Sequence, residues 1–250
     1  MNNLQDVEFK PIVLIPCYRH VQFLDDLLTK LSAFEVPIMI IDDGNSSEDN
    51  KKLVQYTDKY NNVSLVVNPK NGGKGDAMKL GFNEALKLNY THAVQIDADG
   101  QQDCSELLKI LELAKNNVQD LIVGQPVYSN VPLGRFISRY ITHFWVAVEL
   151  GVFKVVDSMC GFRVYPLKIT CEIMNHRNVG KRMAFDTEIL VRLYWAGVNF
   201  KFFNVQVLYP ENGYSNFKPF SDNVLISLMH TKLCVEKILH YFSIRKRKYI

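Results

Sequence analysis

Between Pro11 and Val123 short apolar runs alternate with segments of helical spacing, and this alternation limits the fold more than any other feature. The runs are Ile12–Ile15, Ile38–Ile41, Val63–Val67, Ala93–Ile96 and Leu121–Val123, and the helical segments are Val21–Leu31, Asp49–Tyr60, Asp76–Leu88 and Ser105–Lys115. A strand that is apolar throughout is buried on both faces, which predicts an α/β fold with a mostly parallel central sheet and helices on both faces. Ser46, followed three residues on by Asp49, suits a capping box at a helix start. After Gly124 the alternation is lost. The later elements are expected around Gly161–Tyr165, Thr187–Ala196 and Phe200–Leu208.

Composition excludes several classes. The 250 residues are 48% hydrophobic, enough for a large core, and 22% charged with a net charge of +3. That balance speaks against disorder and against a nucleic-acid footprint, so no nucleic-acid partner is expected. Five cysteines without CxxC spacing argue against a zinc site or a disulfide framework and suit a reducing cytoplasm. The opening MNNLQDVEFK is polar and acidic, unlike a signal peptide. The apolar window Ile141–Val156 is interrupted by His143, Glu149 and Lys154, and a bilayer span needs ~20 largely uncharged residues.

In an open parallel sheet, ligands bind outside the carboxyl ends of the strands. Here those ends read Pro16-Cys17-Tyr18, Asp42-Asp43-Gly44, Asn68 to Gly75, and Asp97-Ala98-Asp99-Gly100-Gln101. On extended backbone Asp97 and Asp99 point the same way, so their charges need a cation, a base or a shared proton. With no Lys or Arg nearby in sequence, a hard divalent ion with oxygen ligands, Mg2+ or Mn2+, is the expected partner, and Gln101 can add a carbonyl oxygen. Asn71-Gly72-Gly73-Lys74-Gly75 opens a helix; its N-terminus and Lys74 suit an anion, although a plain loop-to-helix turn reads equally well. Asp43 can accept from a base N–H or a ribose hydroxyl. Together these features describe a nucleoside diphosphate held by a metal, which would also make it a good leaving group.

The ordered set Ile15-Pro16-Cys17-Tyr18, Ile41-Asp42-Asp43-Gly44, Asn71 to Gly75, Asp97 to Gln101, Ser138-Arg139, Asp157 to Arg163 and Phe185 to Gly197 resembles the family 2 glycosyltransferases of GT-A (Rossmann-like) fold. The resemblance spans about residues 10–218 and points to the dolichyl-phosphate mannosyltransferase branch. It implies nucleotide-sugar contacts at Pro16, Tyr18, Ile41, Asp43, Lys74, Asp97 and Ala98, and metal ligation by Asp99 and Gln101. It also implies a glycosyltransferase domain over 1–220, with a nucleotide-sugar-binding half at 10–124 and an acceptor half at 125–220. Residues 221–250 would then form an amphipathic helix and basic tail.

Departures from that branch shape the expected acceptor. Gly124-Gln125-Pro126 lacks the branch's arginine, Tyr209 to Asn216 lacks its basic residues, and Asp186 replaces a lysine. A hydroxyl acceptor needs a general base, whereas a phosphate is already a nucleophile. Asp186 falls where other family 2 enzymes place a basic Asp, so inverting transfer to a lipid-type hydroxyl in cell-envelope glycolipid synthesis is the leading expectation. The alternative is a polyprenyl-phosphate glycosyltransferase in which Arg135, Arg139 and Arg163 supply the missing charge. A third reading is a non-catalytic nucleotide-sugar-binding module. Arg163 faces a phosphate or pairs with Asp157, and the sequence does not choose between these.

His20 reads as a solvated loop residue, His143 as a satisfied buried or interfacial histidine, and Trp145 and Trp195 as packing. Leu225, Leu228, Met229, Val235, Ile238, Leu239 and Phe242 form a helical stripe ahead of Arg245-Lys246-Arg247-Lys248. Such a tail suits an anionic membrane surface, whereas the helix itself reads rather as one packed on the core. The expected place is the cytoplasm, peripheral on the inner face of the cell membrane, and a homo-oligomer is compatible with the sequence.

Overall fold

The computed structural model describes residues 8–128, 133–152, 157–207 and 219–247. Its strands are β1 (Pro11–Cys17), β2 (Ile38–Asp43), β3 (Val63–Asn68), β4 (His92–Gln95), β5 (Leu121–Tyr128), β6 (Arg163–Pro166) and β7 (Phe200–Val207). The helices are α1 (Leu24–Ser32), α2 (Ser47–Lys59), α3 (Lys74–Lys87), α4 (Leu107–Lys115), α5 (Leu133–Leu150), α6 (Leu167–His176), α7 (Phe185–Trp195) and α8 (Pro219–Arg247). The expected capping of α2 is present, with Ser46 Oγ accepting from the Asp49 N–H at 3.1 Å.

One sheet carries all seven strands in the order β3-β2-β1-β4-β6-β5-β7, and only β6 runs against its neighbours. Alternate residues of each strand feed two cores, as a period of two requires. Ile12, Leu14, Met39 and Ile41 pack with α3, α6 and α7, while Val13, Ile15, Ile38 and Ile40 pack with α1, α2 and α4. The expected α/β sheet with helices on both faces is therefore present. Helices α5 and α6 had no counterpart in the sequence reading, because the apolar residues of this half do not alternate with turn signals.

The reversal of β6 positions the site. The carboxyl ends of β1 to β4 share one edge, with Cys17 opposite Asp42 and Asp43 opposite Asn68. Because β6 is antiparallel, its first residue, Arg163, lies opposite Gln95 at the end of β4. The turn 157–162 thus arrives at the same edge as the acidic strand ends.

The predicted C-terminal unit starting at residue 221 does not stand apart. Helix α8 begins at Pro219, and Met229 and Leu233 enter the core beside Val146 and Leu150 of α5. Most of the predicted stripe faces outward instead: Leu225, Leu228, Val235, Ile238 and Leu239 are all exposed. The residues that pack are Ile226, Met229 and Leu233.

Candidate active site

Lys74, the first residue of α3, reaches across the carboxyl edge and forms ion pairs with Asp97 Oδ1 and Asp186 Oδ2, each at 2.7 Å. No basic residue lies near the Asp97-Ala98-Asp99 acids in sequence, but a lysine distant along the chain reaches them through the fold. Burial alone would lower the Lys74 pKa, but the charges of Asp186 and Asp97 prevail and keep it protonated.

Both carboxylates are held on their other oxygens. Gln95 Nε2 donates to Asp186 Oδ1 at 2.9 Å, and Tyr165 donates in turn to Gln95 Oε1 at 3.3 Å. Gln102 holds Asp97 twice, accepting from its N–H and donating to Oδ2, each at 3.1 Å. Sequence reasoning missed Gln95, Gln102 and Tyr165. Gln95 left a signal, a polar residue ending an otherwise apolar strand; Gln102 left none beyond its place in the Asp97–Asp103 turn.

Gly161 forms a wall of this cluster. A Cβ there would lie 2.6 Å from Asp97 Oδ2 and 2.7 Å from both Gln95 Nε2 and Lys74 Nζ. A side chain there would have to displace the ends of these three side chains.

Of the two readings of the glycine loop, the structure favours the loop-to-helix turn. The N–H groups of Gly72 and Gly73 donate to Asp43 at 3.0 and 2.8 Å, and those of Gly75 and Asp76 donate to the Lys181 carbonyl at 2.7 and 3.2 Å. The N-terminus of α3 is thus occupied by protein and is not an open anion cradle. A Cβ on Gly75 would lie 2.2 Å from the Gly180 carbonyl oxygen, so this glycine allows the 180–182 backbone to seat there. Asp43 also accepts from Asn68 and Asn71 at 3.0 and 2.8 Å, so its carboxylate is saturated by the loop that it organises. Burial raises its pKa against the lowering effect of the Gly72 and Gly73 N–H groups.

Asp99 differs from its neighbours. Oδ1 accepts from the Gln101 N–H at 3.1 Å, and its pKa is raised by burial and by the charge of Asp97. Lys74 and His20 act on it in the opposite direction. Asp97, Asp99 and Asp186 face one ammonium, leaving a negative surplus. Hard oxygen donors with that surplus fit a divalent cation. Among the described residues no cluster of three or more His, Cys, Asp or Glu side chains could hold a metal by itself.

The three arginines separate. Arg163 is fully buried and donates to the carbonyls of Asp186 and Ser158 and to Tyr165 Oη at 2.5, 2.6 and 3.3 Å. It neither pairs with Asp157 nor opens onto an acceptor surface; it ties the Asp186 backbone to the turn before β6. Arg139 pairs with Asp157 through two bonds of 2.6 and 3.1 Å, and Asp157 also accepts from the N–H groups of Met159 and Cys160. Burial would raise the Asp157 pKa, but Arg139 takes it below the ordinary value. Arg135 lies in α5, with its side chain outside the described residues, as are Tyr209 to Asn216. Pro16 and Tyr18 are half-buried at the end of β1, and Ile41 and Ala98 are core residues beside the edge.

His143 is buried, but neither ring nitrogen has a hydrogen-bond partner, so it is not the satisfied histidine expected. Trp195 packs and donates to the Glu149 carbonyl at 3.1 Å, whereas Trp145 is 40% exposed and is no core residue. All five cysteines are free.

The chain is similar to known proteins over most of its length. It is 27% identical to a dolichyl-phosphate beta-glucosyltransferase of Trichomonas vaginalis over 68% of this chain and 54% of that protein. It is 25% identical to a UDP-N-acetylglucosamine--dolichyl-phosphate N-acetylglucosaminyltransferase of Methanococcus voltae, covering 72% of this chain and 78% of the other. The chain thus spans only about half of the first of these relatives. The solved structure of S. aureus TarS 1-349 in complex with UDP-GlcNAc superposes with a TM-score of 0.58 at 14% identity, over 88% of this chain and 66% of that one, and shares the GT-A fold. Residues 12–180, about two thirds of the chain and every strand end of the site, match the family described as Glycosyl transferase family 2, and the chain belongs to that family.

Proposed function

We propose that the protein transfers a sugar from a nucleoside diphosphate sugar to a polyprenyl-type lipid phosphate. One observation carries the choice of acceptor: Asp186, the residue expected to serve as base, is 5% exposed and has both carboxylate oxygens engaged by Lys74 and Gln95. A hydroxyl acceptor needs a base within hydrogen-bond reach, and a carboxylate this buried and ion-paired with Lys74 is not open to one. A phosphate monoester is ionised at neutral pH and attacks without one. The names of the relatives from Trichomonas vaginalis and Methanococcus voltae, both acting on dolichyl phosphate, support the same acceptor class.

In this reading Asp99 and Gln101 hold Mg2+ or Mn2+ together with the donor diphosphate, and the ion screens the leaving group when bound. Asp97, oriented by Lys74 and Gln102, faces the donor sugar. Tyr140, Ile141 and Phe144 of α5 and Leu228, Ile238 and Leu239 of α8 are exposed, and α8 runs into the basic tail. This surface supports contact with an anionic membrane, where the acceptor would reside. No helix among the described residues is long and apolar enough to cross a membrane.

The test offers a panel of UDP and GDP sugars with Mn2+ to polyprenyl phosphate and to a lipid bearing a hydroxyl. Sugar transfer to the phosphate, surviving in Asp186→Asn, is the expected result. Transfer to the hydroxyl alone, abolished in Asp186→Asn, would restore Asp186 as the base. Nucleotide binding without turnover on any acceptor would favour the binding-module reading.

A further inference from the structure

Lys74 stands between Asp97 and Asp186, yet nothing in its own helix holds it there. What seats the first turn of α3 is the Lys181 carbonyl, which accepts from the Gly75 and Asp76 N–H groups, and the Lys181 ammonium, 3.2 Å from Asp76 Oδ2. The backbone just before it is held by Glu188, whose Oε2 accepts from the Gly180 N–H at 2.8 Å. Glu188 is 1% exposed, and a buried carboxylate requires partners. It has them on both sides. Oε1 accepts from Arg192 Nε at 2.8 Å and from Lys232 Nζ of α8 at 3.0 Å. Lys232 also donates to the Asn178 carbonyl, and Arg192 makes two bonds of 3.0 and 3.1 Å to Glu236 of α8.

We propose that Glu188 is a positioning residue for the transfer site: it clamps residues 178–182 onto the first turn of α3 and so sets where the Lys74 ammonium stands, with α8 as the outer support. The inference rests on reading the Lys74, Asp97 and Asp186 cluster as the transfer site. Contiguous hydrogen bonds carry the coupling from α8 through Glu188, Gly180 and Lys181 to Gly75, the neighbour of Lys74. Glu188 and Asp186 both lie in the first turn of α7, so one helix start presents a partner to Lys74 and a clamp to the backbone that seats it. The charge of Glu188 is needed as well as its shape, because Arg192 and Lys232 converge on a single oxygen.

The test measures amine labelling of each lysine by mass spectrometry in full-length wild type, Glu188→Gln and Lys232→Met, after circular dichroism confirms that each is folded. Lys74 should label roughly tenfold faster in Glu188→Gln, while Lys51 and Lys109, exposed on α2 and α4, keep their wild-type rates. Lys232→Met should show the same selectivity to a smaller degree, and it decides the matter if Glu188→Gln does not fold. In the transfer assay kcat should fall with little change in acceptor KM. Unchanged labelling of Lys74 in a folded variant, or faster labelling of all lysines together, would overturn the proposal. Failure of the wild type to transfer any sugar would sink the functional reading and leave the labelling comparison standing.

Discussion

Lys74 and Asp186, 112 positions apart in sequence, meet at 2.7 Å and tie the start of α3 to the start of α7. The same ammonium holds Asp97 of the Asp97-Ala98-Asp99 turn at 2.7 Å. It also explains why three carboxylates can gather at one sheet edge before any ligand arrives. One ammonium offsets part of their charge, and the remainder is the attraction that a cation would satisfy.

Replacing Lys74 by Met should be costly in two ways. Removing one partner of a largely buried charge cluster typically destabilises by about 3 kcal/mol. Chemical denaturation should therefore show a lower midpoint, and transfer should fall at least ~100-fold, because Asp97 loses its orientation. A variant with near-normal transfer would show that Lys74 is only a structural counterion.

Gly161→Ala tests the geometry of the wall. Its methyl would enter the cluster at 2.6 Å from Asp97 Oδ2, forcing Asp97, Gln95 or Lys74 to move. Overpacking of this kind costs about 1–3 kcal/mol. Donor affinity measured by calorimetry should drop while the circular dichroism spectrum is retained. Wild-type affinity would mean that the cluster is looser than its distances imply.

Asp43→Asn asks what holds the glycine loop. An amide presents one acceptor oxygen where the carboxylate serves the side chains of Asn68 and Asn71 and the N–H groups of Gly72 and Gly73. Losing part of this set in a buried position should cost about 2 kcal/mol. Hydrogen exchange at Gly72 and Gly73 should accelerate. Unchanged exchange there would show that the loop is held by its packing against 180–182.

Asp99→Ala should make donor turnover indifferent to added Mn2+, whereas the wild type should lose activity to a chelator and regain it with Mn2+ or Mg2+. Equal metal response in both proteins would remove Asp99 from the ion's ligands.

Acid should weaken the fold through His92. The ring is 2% exposed; Nε2 donates to the Val118 carbonyl at 2.9 Å, and Nδ1 pairs with Thr91 Oγ1 at the same distance. Since a carbonyl can only accept, the proton of the neutral ring sits on Nε2 and the Thr91 hydroxyl donates to Nδ1. Burial lowers the pKa from its ordinary 6.5, against the raising effect of Val118. A depressed histidine stabilises the fold fully above its unfolded pKa, and that contribution is lost as pH falls through the folded value. Thermal stability should thus decline below about pH 6.5, less steeply in His92→Gln, and an NMR titration should place His92 below 6.5. A titration at or above 6.5 would contradict this account.

The parallel half of the fold was legible because its physics is local. Apolar runs such as Ile38–Ile41 can be buried only on two faces, and Ser46 with Asp49 announces α2. The second half resisted the same reading: α5 carries Tyr140, Ile141, Phe144 and Trp145 outward, so its apolar residues do not mark a buried face. The outward stripe on α8 misled for the same reason, since apolar spacing says that a face exists and not what covers it.

Within the site, the sequence by itself determined which chemical groups end the strands: the acids after β2 and β4, and the glycines and lysine before α3. Strand period and turn chemistry act over a few residues, so they can be read along the chain. Only the tertiary structure decided who partners whom. It spent Asp43 on the glycine loop, turned Arg163 inward, capped α3 with Lys181 and gave Asp186 to Lys74 and Gln95. Those outcomes depend on β6 running against its neighbours and on α7 starting beside α3. Such contacts join residues about a hundred positions apart, and no local propensity encodes them.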